Sequence, residues 1–407
     1  MKSKLINLVK SLGPAFILAS VVLGPGSITV ASRIGSESGY KLLWVVAVSA
    51  LMMIVYTTMS VRFGLTNDNS FLQVISQNYS KAFAIAIGIA AFFAATSWQF
   101  GNNLGIGIAM YEITGIKEYV WPLIFTPLGI ALIFFAKNLY KILERLMMIM
   151  VLIIILSFAI NLFLIKPDLI ETSKGFLPSK ISMGDMDVIA ALVGTTFALP
   201  TAMYQAYLVR DKGWGIKNLK EGITSSNMGV FVLVLITSMI IITSAAALYP
   251  KGIKVNSAAD MALQLELLFG SYAKYIFSIG LCAAAFSSLM VNAVIGGGLL
   301  ADSFGLGRSM NNKYPKIFTT VILVIGMLIA VFFKGNIIYA LIMAQASSML
   351  GVPFIAIGLM LVLNNKKIMK SKTNNWMQNA VGVLGFLIIC MMVYFMYHKL
   401  ILYITTL

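Results

Sequence analysis

Long apolar segments, separated by short polar and basic stretches, follow one another along nearly the whole chain. Many run for about 20 residues with almost no charge, which is the length at which a helix crosses the roughly 30 Å hydrocarbon layer of a bilayer. Backbone polar groups in lipid must be satisfied within the segment, so each segment is predicted to be an α-helix. The predicted fold class is therefore all-α integral membrane, with about eleven spans. Their approximate bounds are 13–34, 41–63, 82–111, 119–136, 142–165, 187–209, 225–249, 270–300, 317–333, 337–363 and 377–404.

Two of these spans are interrupted near their middle, the first at 24–27 (Gly-Pro-Gly-Ser) and the sixth at 199–201 (Leu-Pro-Thr). Proline removes a backbone donor and glycine adds backbone freedom, so both sites are predicted breaks. Two breaks five spans apart favour an inverted repeat of 13–165 and 187–363, followed by an extra span at 377–404. Freed carbonyls and half-helix ends would then form a binding site at mid-membrane. The alternative is two ordinary proline kinks.

The composition supports a membrane protein, with 59% hydrophobic and 11% charged residues and a mean hydropathy of +0.92. Soluble domains contain about 45–50% apolar and about 25% charged residues. The net charge of +16 would suit nucleic acid, but the basic residues lie at the ends of apolar segments, so a lipid bilayer and not a nucleic acid is the expected partner. Cys282, Cys390 and the single histidine, His398, offer neither a disulfide nor a metal pair, and no cofactor is expected.

The distribution of Lys and Arg predicts the orientation in the membrane. The densest basic clusters, 210–220 and 366–372, fall on the same predicted side as the N-terminus. Because cytoplasmic loops carry the excess of positive charge, the N-terminus is predicted to be cytoplasmic and the C-terminus external. The chain is expected to be a multi-pass protein of a prokaryotic plasma membrane and to act as a monomer.

No acidic residue is predicted at mid-membrane, because all fourteen lie in loops or at span ends. Intramembrane carboxylates mark proton relays and ion paths, so a carboxylate proton relay is not expected. A site that strips the water from a divalent cation is also disfavoured. The polar residues near the breaks are all neutral, and each taken singly is more often a helix–helix hydrogen bond than a ligand. They are Ser27, Thr29, Gln99, Asn102, Asn103, Thr195, Thr196, Thr201, Ser287, Ser288, Asn292 and Gln345.

Several stretches resemble the NRAMP family of divalent metal transporters. Residues 13–16 (Gly-Pro-Ala-Phe), 24–27 and 39–44 (Gly-Tyr-Lys-Leu-Leu-Trp) resemble the opening of those proteins. Residues 194–209 resemble their sixth helix, and 344–354, with Ala-Gln and then Val-Pro-Phe, their tenth. The resemblance covers most of the chain. It implies the LeuT-type inverted-repeat fold and a secondary transporter, not an enzyme.

The positions that hold the metal in that family mostly carry other residues here. The first-helix aspartate and asparagine correspond to Gly24 and Ser27, and the sixth-helix methionine to Ala198, while a tenth-helix glutamine is kept as Gln345. Without the soft sulfur, selection for manganese or iron over magnesium is expected to be lost. Magnesium-transporting relatives also have a small residue in place of that methionine, which leaves room for a partly hydrated ion. Those relatives retain the first-helix acid, which Gly24 does not supply.

The positions linked to proton transfer in that family are also changed. Two third-helix carboxylates correspond to Gln99 and Asn102, and two sixth-helix histidines to Pro200 and Gln205. None of these residues exchanges a proton near neutral pH, so the resemblance implies that proton coupling is lost.

Three functions remain open from the sequence. The first is an NRAMP-like transporter of divalent cations such as hydrated Mg²⁺, uncoupled from protons. The second is a transporter of a neutral or organic solute on the same scaffold, since a fold alone does not fix a substrate. The third is a non-transporting sensor, for which no appended domain offers support. In either transporter, the candidate substrate-binding residues, which are also the candidate metal ligands, are Gly24, Ser27, Thr195, Ala198, Thr201 and Gln345.

Overall fold

A computed structural model of the chain describes residues 23–135, 139–181 and 185–405. Helices dominate these ranges, and the fourteen that have eight or more residues are numbered in chain order. They are α1 (Pro25–Ser38), α2 (Leu43–Thr66), α3 (Phe71–Asn78), α4 (Lys81–Thr114), α5 (Pro122–Phe135), α6 (Leu139–Ile165), α7 (Met186–Thr196), α8 (Leu199–Asp211), α9 (Leu219–Ala247), α10 (Ala273–Ser303), α11 (Lys313–Phe332), α12 (Ile337–Ser347), α13 (Val352–Asn364) and α14 (Trp376–Thr405).

Within the described residues, nine helical segments are long and apolar enough to cross a membrane. The all-α membrane fold class is therefore confirmed, and every predicted span has a helix at its place in the chain. The count of eleven spans stays a prediction. In the first predicted span, residues 13–22 lie outside the described residues.

The centre of the fold is built from helices that approach one another closely. Helix α4 packs along α10, and α1 packs on α9. Small residues permit the close approach of these helices. A Cβ atom added at Gly296 of α10 would lie 2.4 Å from the Cβ of Ala95 in α4, which is too close for two carbon atoms. Helices α7 and α8 are almost entirely buried, whereas few of the described side chains of α14 are buried. Such a helix is suited to contact with lipid.

The two lysine-rich clusters lie at the same end of α2. Arg62, in the last turns of that helix, donates from Nη1 to the carbonyl oxygens of Lys372 and Thr373 at 3.1 and 2.9 Å. Leu65, one turn further on, packs with Val209 in a small apolar cluster beneath the other basic segment. The structure therefore places the C-terminal cluster and the cluster after α8 on one side of the molecule.

Candidate functional site

The first predicted break is the start of a helix. Helix α1 begins at Pro25, and Gly24 precedes it in an extended conformation, with φ −86° and ψ 178°. Proline is well suited to this position, because the first helical N–H has no partner within the helix. Gly26 is constrained by packing, since a Cβ atom there would lie 2.1 Å from Nε2 of Gln345. The glycines thus allow the start of α1 to touch the helix that carries Gln345.

The second break lies earlier than the sequence predicted. Helix α7 ends at Thr196 and α8 begins at Leu199, so the chain is interrupted at Phe197 and Ala198 and not at 199–201. Pro200 is the second residue of α8 and starts that helix, because a residue in the first turn loses no intrahelical bond when it lacks an N–H. The break consequently places Phe197 and Ala198 between the two helices.

A third break lies within the span 337–363, for which the sequence predicted a continuous helix. Helix α12 ends at Ser347 and α13 begins at Val352. Between them the backbone forms tight turns. In one of these turns the N–H of Leu350 donates to the carbonyl oxygen of Ser347 at 3.1 Å. Gly351 before the second half and Pro353 at its start were the available signals for this interruption.

A small cavity with a buried lining lies between the first two breaks. Its volume is ≈ 10 Å³, about the space that one water molecule needs. Five of the six predicted binding residues line it, together with Asn102, which the sequence assigned to the former proton path. The lining residues are Gly24, Ser27, Trp98, Asn102, Thr195, Ala198, Asn292 and Gln345, and all are buried.

The sixth predicted binding residue, Thr201, does not line the cavity. It is the third residue of α8, is 1% exposed, and its hydroxyl has no hydrogen-bond partner among the described residues. Besides Asn102, two lining residues, Trp98 and Asn292, were not among the predicted binding residues. Asn292 is one of several neutral polar residues in its span, so the sequence does not single it out. Trp98 fits the pattern of an ordinary apolar helix residue. The signal for Trp98 was its place one helical turn before Asn102, on the same face of α4.

The cavity wall offers amide and hydroxyl groups and no formal charge. Its polar side chains are Ser27, Asn102, Thr195, Asn292 and Gln345, with the indole of Trp98 beside them. No methionine, cysteine, histidine or carboxylate lines it, and within the described ranges no group of three or more such metal-binding residues (His, Cys, Asp, Glu) occurs anywhere. Neutral oxygen ligands suit a small hard cation or water, and they do not select soft transition metals.

Three of the residues matched to the family's proton-transfer positions form side-chain hydrogen bonds within the helix bundle. Gln99 is fully buried and donates from Nε2 to the carbonyl of Leu289 in α10 at 2.6 Å. Asn102 donates from Nδ2 to Oε1 of Gln99 at 3.3 Å, and Oε1 of Gln205 accepts from Ser226 at the same distance. Gln99 thus bonds to the backbone and to Asn102, Gln205 bonds to a serine hydroxyl, and none of these amides can gain or release a proton near neutral pH.

One carboxylate of the described residues is buried, and it lies away from the cavity. Asp302, in the last turn of α10, is 2% exposed and accepts from the hydroxyls of Ser70 at 2.8 Å and Tyr207 at 2.7 Å. It lies ten residues beyond Asn292, or about 15 Å along the helix. The prediction that it sits at a span end holds. Its bonds join α10 to α8 and to the start of α3.

Broken apolar helices around a small polar cavity define a membrane transporter built on interrupted helices. The chain belongs to the Nramp family: residues 15–398 match the family described as natural resistance-associated macrophage protein-like. The predicted family is thereby confirmed, and members of this family are secondary transporters, not enzymes.

Two bacterial relatives illustrate the sequence similarity. The divalent metal cation transporter MntH of Caldanaerobacter subterraneus is 25% identical over 389 residues, which is 94% of this chain and 91% of that protein. MntH of Bacillus subtilis is 24% identical over 397 residues, 95% of this chain and 92% of its own length. The match therefore extends over nearly all of each protein.

Solved structures share the fold. The Eremococcus coleocola manganese transporter, in complex with an aromatic bis-isothiourea compound, superposes with a TM-score of 0.82 at 16% identity, covering 97% of this chain and 87% of that one. MhsT in complex with L-phenylalanine gives a TM-score of 0.63 at 16% identity, covering 93% of this chain and 98% of that one. These neighbours are LeuT-fold transporters, which confirms the predicted fold class.

Proposed function

We propose that this chain transports divalent metal cations, which bind among the neutral oxygens between the breaks at Gly24 and Ala198. The observation that carries the proposal is the cavity itself. Five amide and hydroxyl side chains meet in a space of ≈ 10 Å³, about the space that one small ion or one water molecule needs. Relatives that match along nearly the whole chain are named divalent metal cation transporters, which supports the same substrate class.

We propose further that the site favours hard cations such as Mg²⁺ and does not select Mn²⁺. Ala198 contributes only a methyl group where a sulfur ligand would be needed, and the other ligands are oxygens. Mg²⁺ gives up its water reluctantly and keeps several water molecules when bound. A hydrated ion therefore needs a wider cavity than this one, so it would enter while the helix breaks are further apart. With no carboxylate at the site, binding is expected to be weak.

Transport is proposed to proceed without protons. Proton coupling needs a group near the ion that binds and releases a proton as the metal moves. Gln99, Asn102 and Gln205 hold neutral amides where such groups would stand, and the cavity lining contains no titratable side chain. The buried Asp302 is about 15 Å away along α10 and has two hydroxyl donors. Cations would then move along their own electrochemical gradient.

Two adjacent asparagines in α4 offer a matched test of the site. Asn102 lines the cavity, whereas Asn103 bonds elsewhere, to the carbonyl of Gln99 and to the hydroxyl of Thr126, both at 2.9 Å. Asn102→Ala removes a cavity oxygen and is expected to raise the KM for metal uptake about tenfold, with a cost of about 1.4 kcal/mol. Asn103→Ala leaves Thr126 without its acceptor and is expected to lower the melting temperature while KM is unchanged.

The measurement is uptake of Mn²⁺ and of Mg²⁺ into proteoliposomes, followed with metal-sensitive dyes, alongside thermal unfolding of each variant. If neither metal enters faster than into protein-free vesicles, the metal proposal fails and an organic solute becomes the better candidate. If Asn103→Ala changes KM as much as Asn102→Ala does, the cavity is not the binding site.

The cellular setting is proposed from the charge distribution and the relatives. The two basic clusters share one side of the molecule, which is proposed to be the cytoplasmic side. The N-terminus would then be cytoplasmic and the C-terminus external, in a prokaryotic plasma membrane, which agrees with the bacterial origin of the relatives. A monomer is proposed, because the cavity is lined by residues of one chain.

A further inference from the structure

A second and larger cavity is an open groove between α13 and α14. It has a volume of ≈ 440 Å³, many times the roughly 10–15 Å³ that one water molecule needs. It shares no residue with the cavity between the helix breaks. Most of its wall is apolar, and one end of the groove is polar. The wall consists of Ile357, Met360, Leu361, Val383 and Phe386, with Tyr79, Asn364 and Asn365 at the polar end.

The apolar part of the groove lies on the outer surface of the molecule. Leu361 is 41% exposed and Val383 50% exposed, and α14 as a whole presents apolar side chains outward. In a membrane-spanning helix such a surface faces hydrocarbon. A cleft of this size on that surface will be filled by lipid chains and not by water.

The polar end of the groove is rigidly built. The hydroxyl of Tyr79 donates to the carbonyl of Leu361 at 3.0 Å, and Asn365 donates from Nδ2 to that hydroxyl at 3.3 Å. Asn364 exchanges hydrogen bonds with Asn379 of α14 at 2.9 Å in both directions. This network joins α13 to Tyr79, which follows α3, and to α14. It lies where α13 ends and the basic cluster 366–372 begins.

Four lysines follow the polar end directly. Lys366, Lys367 and Lys370 are exposed and Lys372 is half-buried, and none of the four forms an ion pair within the described part of the chain. Beyond Asp302 the sequence contains no acidic residue, so no neighbour in sequence neutralises them.

The backbone of this lysine segment is held in place. Oδ1 of Asn365 accepts from the N–H of Lys367 at 2.9 Å, and Arg62 donates to the carbonyls of Lys372 and Thr373. The cluster thus stays beside the mouth of the groove.

We propose that this groove binds one anionic phospholipid, with an acyl chain against α13 and α14 and its phosphate among Lys366, Lys367 and Lys370. The apolar cleft would contact the hydrocarbon chain. The lysines, which form no ion pair within the described residues, would bind the negative headgroup at the membrane surface. The site is independent of the transported substrate.

Native mass spectrometry of the purified full chain, titrated with phosphatidylglycerol or phosphatidylcholine in detergent, tests the headgroup part. Each lysine near an anionic surface contributes about fivefold in affinity, so Lys366→Gln with Lys367→Gln is expected to weaken phosphatidylglycerol binding about 25-fold. Phosphatidylcholine binding should not change. The control pair, Lys217→Gln with Lys220→Gln, removes the same charge from the other basic cluster and is expected to leave both lipids unaffected. An equal loss in the control pair would overturn the proposal in favour of diffuse attraction.

The groove itself is tested by filling it. Val383→Trp is expected to weaken both lipids at least fivefold, whereas Leu384→Trp, at the next and similarly exposed position outside the groove, is expected to weaken neither. Inorganic phosphate is added in a parallel titration. If it displaces phosphatidylglycerol fully and Val383→Trp has no effect, the lysines bind phosphate alone and no lipid site exists.

Discussion

Replacement of Gly24 by aspartate is expected to raise the affinity for divalent cations about tenfold or more. Two unit charges about 4 Å apart interact by about 4 kcal/mol at an effective dielectric constant near 20, and the desolvation of a buried carboxylate removes part of this gain. The change requires neighbouring side chains to adjust. A Cβ atom at position 24 would lie 3.0 Å from Oδ1 of Asn102 and 3.2 Å from Oγ of Ser288, and both are side-chain atoms that can shift by a few tenths of an ångström.

Gly24→Asn is the matched control, because it has nearly the same shape without the charge. Isothermal titration calorimetry with Mn²⁺ and with Mg²⁺ compares the two variants with the unmodified protein. The tighter binding should appear only with aspartate. If both variants bind cations equally, either the cation does not bind beside Gly24 or charge does not control its affinity.

Gly194→Ala is expected to reduce uptake at least tenfold. A Cβ atom there would lie 2.6 Å from the carbonyl oxygen of Gln345 and 3.2 Å from Cγ of Met349, and a backbone oxygen cannot rotate away. Helices α7 and α12 must therefore move apart, with a cost of about 1–3 kcal/mol for overpacking. Because Thr195 on α7 and Gln345 on α12 both line the cavity, the same movement spreads the binding groups.

Gly280→Ala provides the comparison, since nothing lies within 4 Å of a Cβ atom at this helical glycine. Alanine is the better helix former by up to about 1 kcal/mol, so this variant should be as stable as the original or more so, with unchanged uptake. Uptake is measured at equal protein in proteoliposomes, and stability by thermal unfolding. Wild-type uptake by Gly194→Ala would show that the close contact of α7 with α12 does not shape the site.

The membrane fold could be predicted from the sequence because span length is fixed by bilayer thickness, and apolar runs of that length are visible without any tertiary information. Break positions were less predictable. Proline marks the neighbourhood of a break, but it can stand before the break or in the first turn after it, as Pro200 does. Pro353 likewise stands in the first turn after a break, in the third broken helix. The sequence pattern there predicts a continuous span.

The site was predictable where breaks supplied the residues and not where intact helices did. Gly24, Ser27, Thr195 and Ala198 lie at or beside the two predicted interruptions. Trp98 and Asn292 come from the unbroken helices α4 and α10, and which of their faces points inward depends on packing. Thr201 is near a break in sequence but lies outside the cavity wall.

The most direct test of cation passage through an uncharged site is to record metal entry and internal pH in the same proteoliposomes. One dye reports Mn²⁺ or Mg²⁺, a second reports pH, and valinomycin with K⁺ fixes the membrane potential. The predicted result is metal entry with constant internal pH, at a rate that an inward proton gradient does not increase, and no entry into protein-free vesicles. Acidification of the interior in proportion to the metal taken up would contradict it.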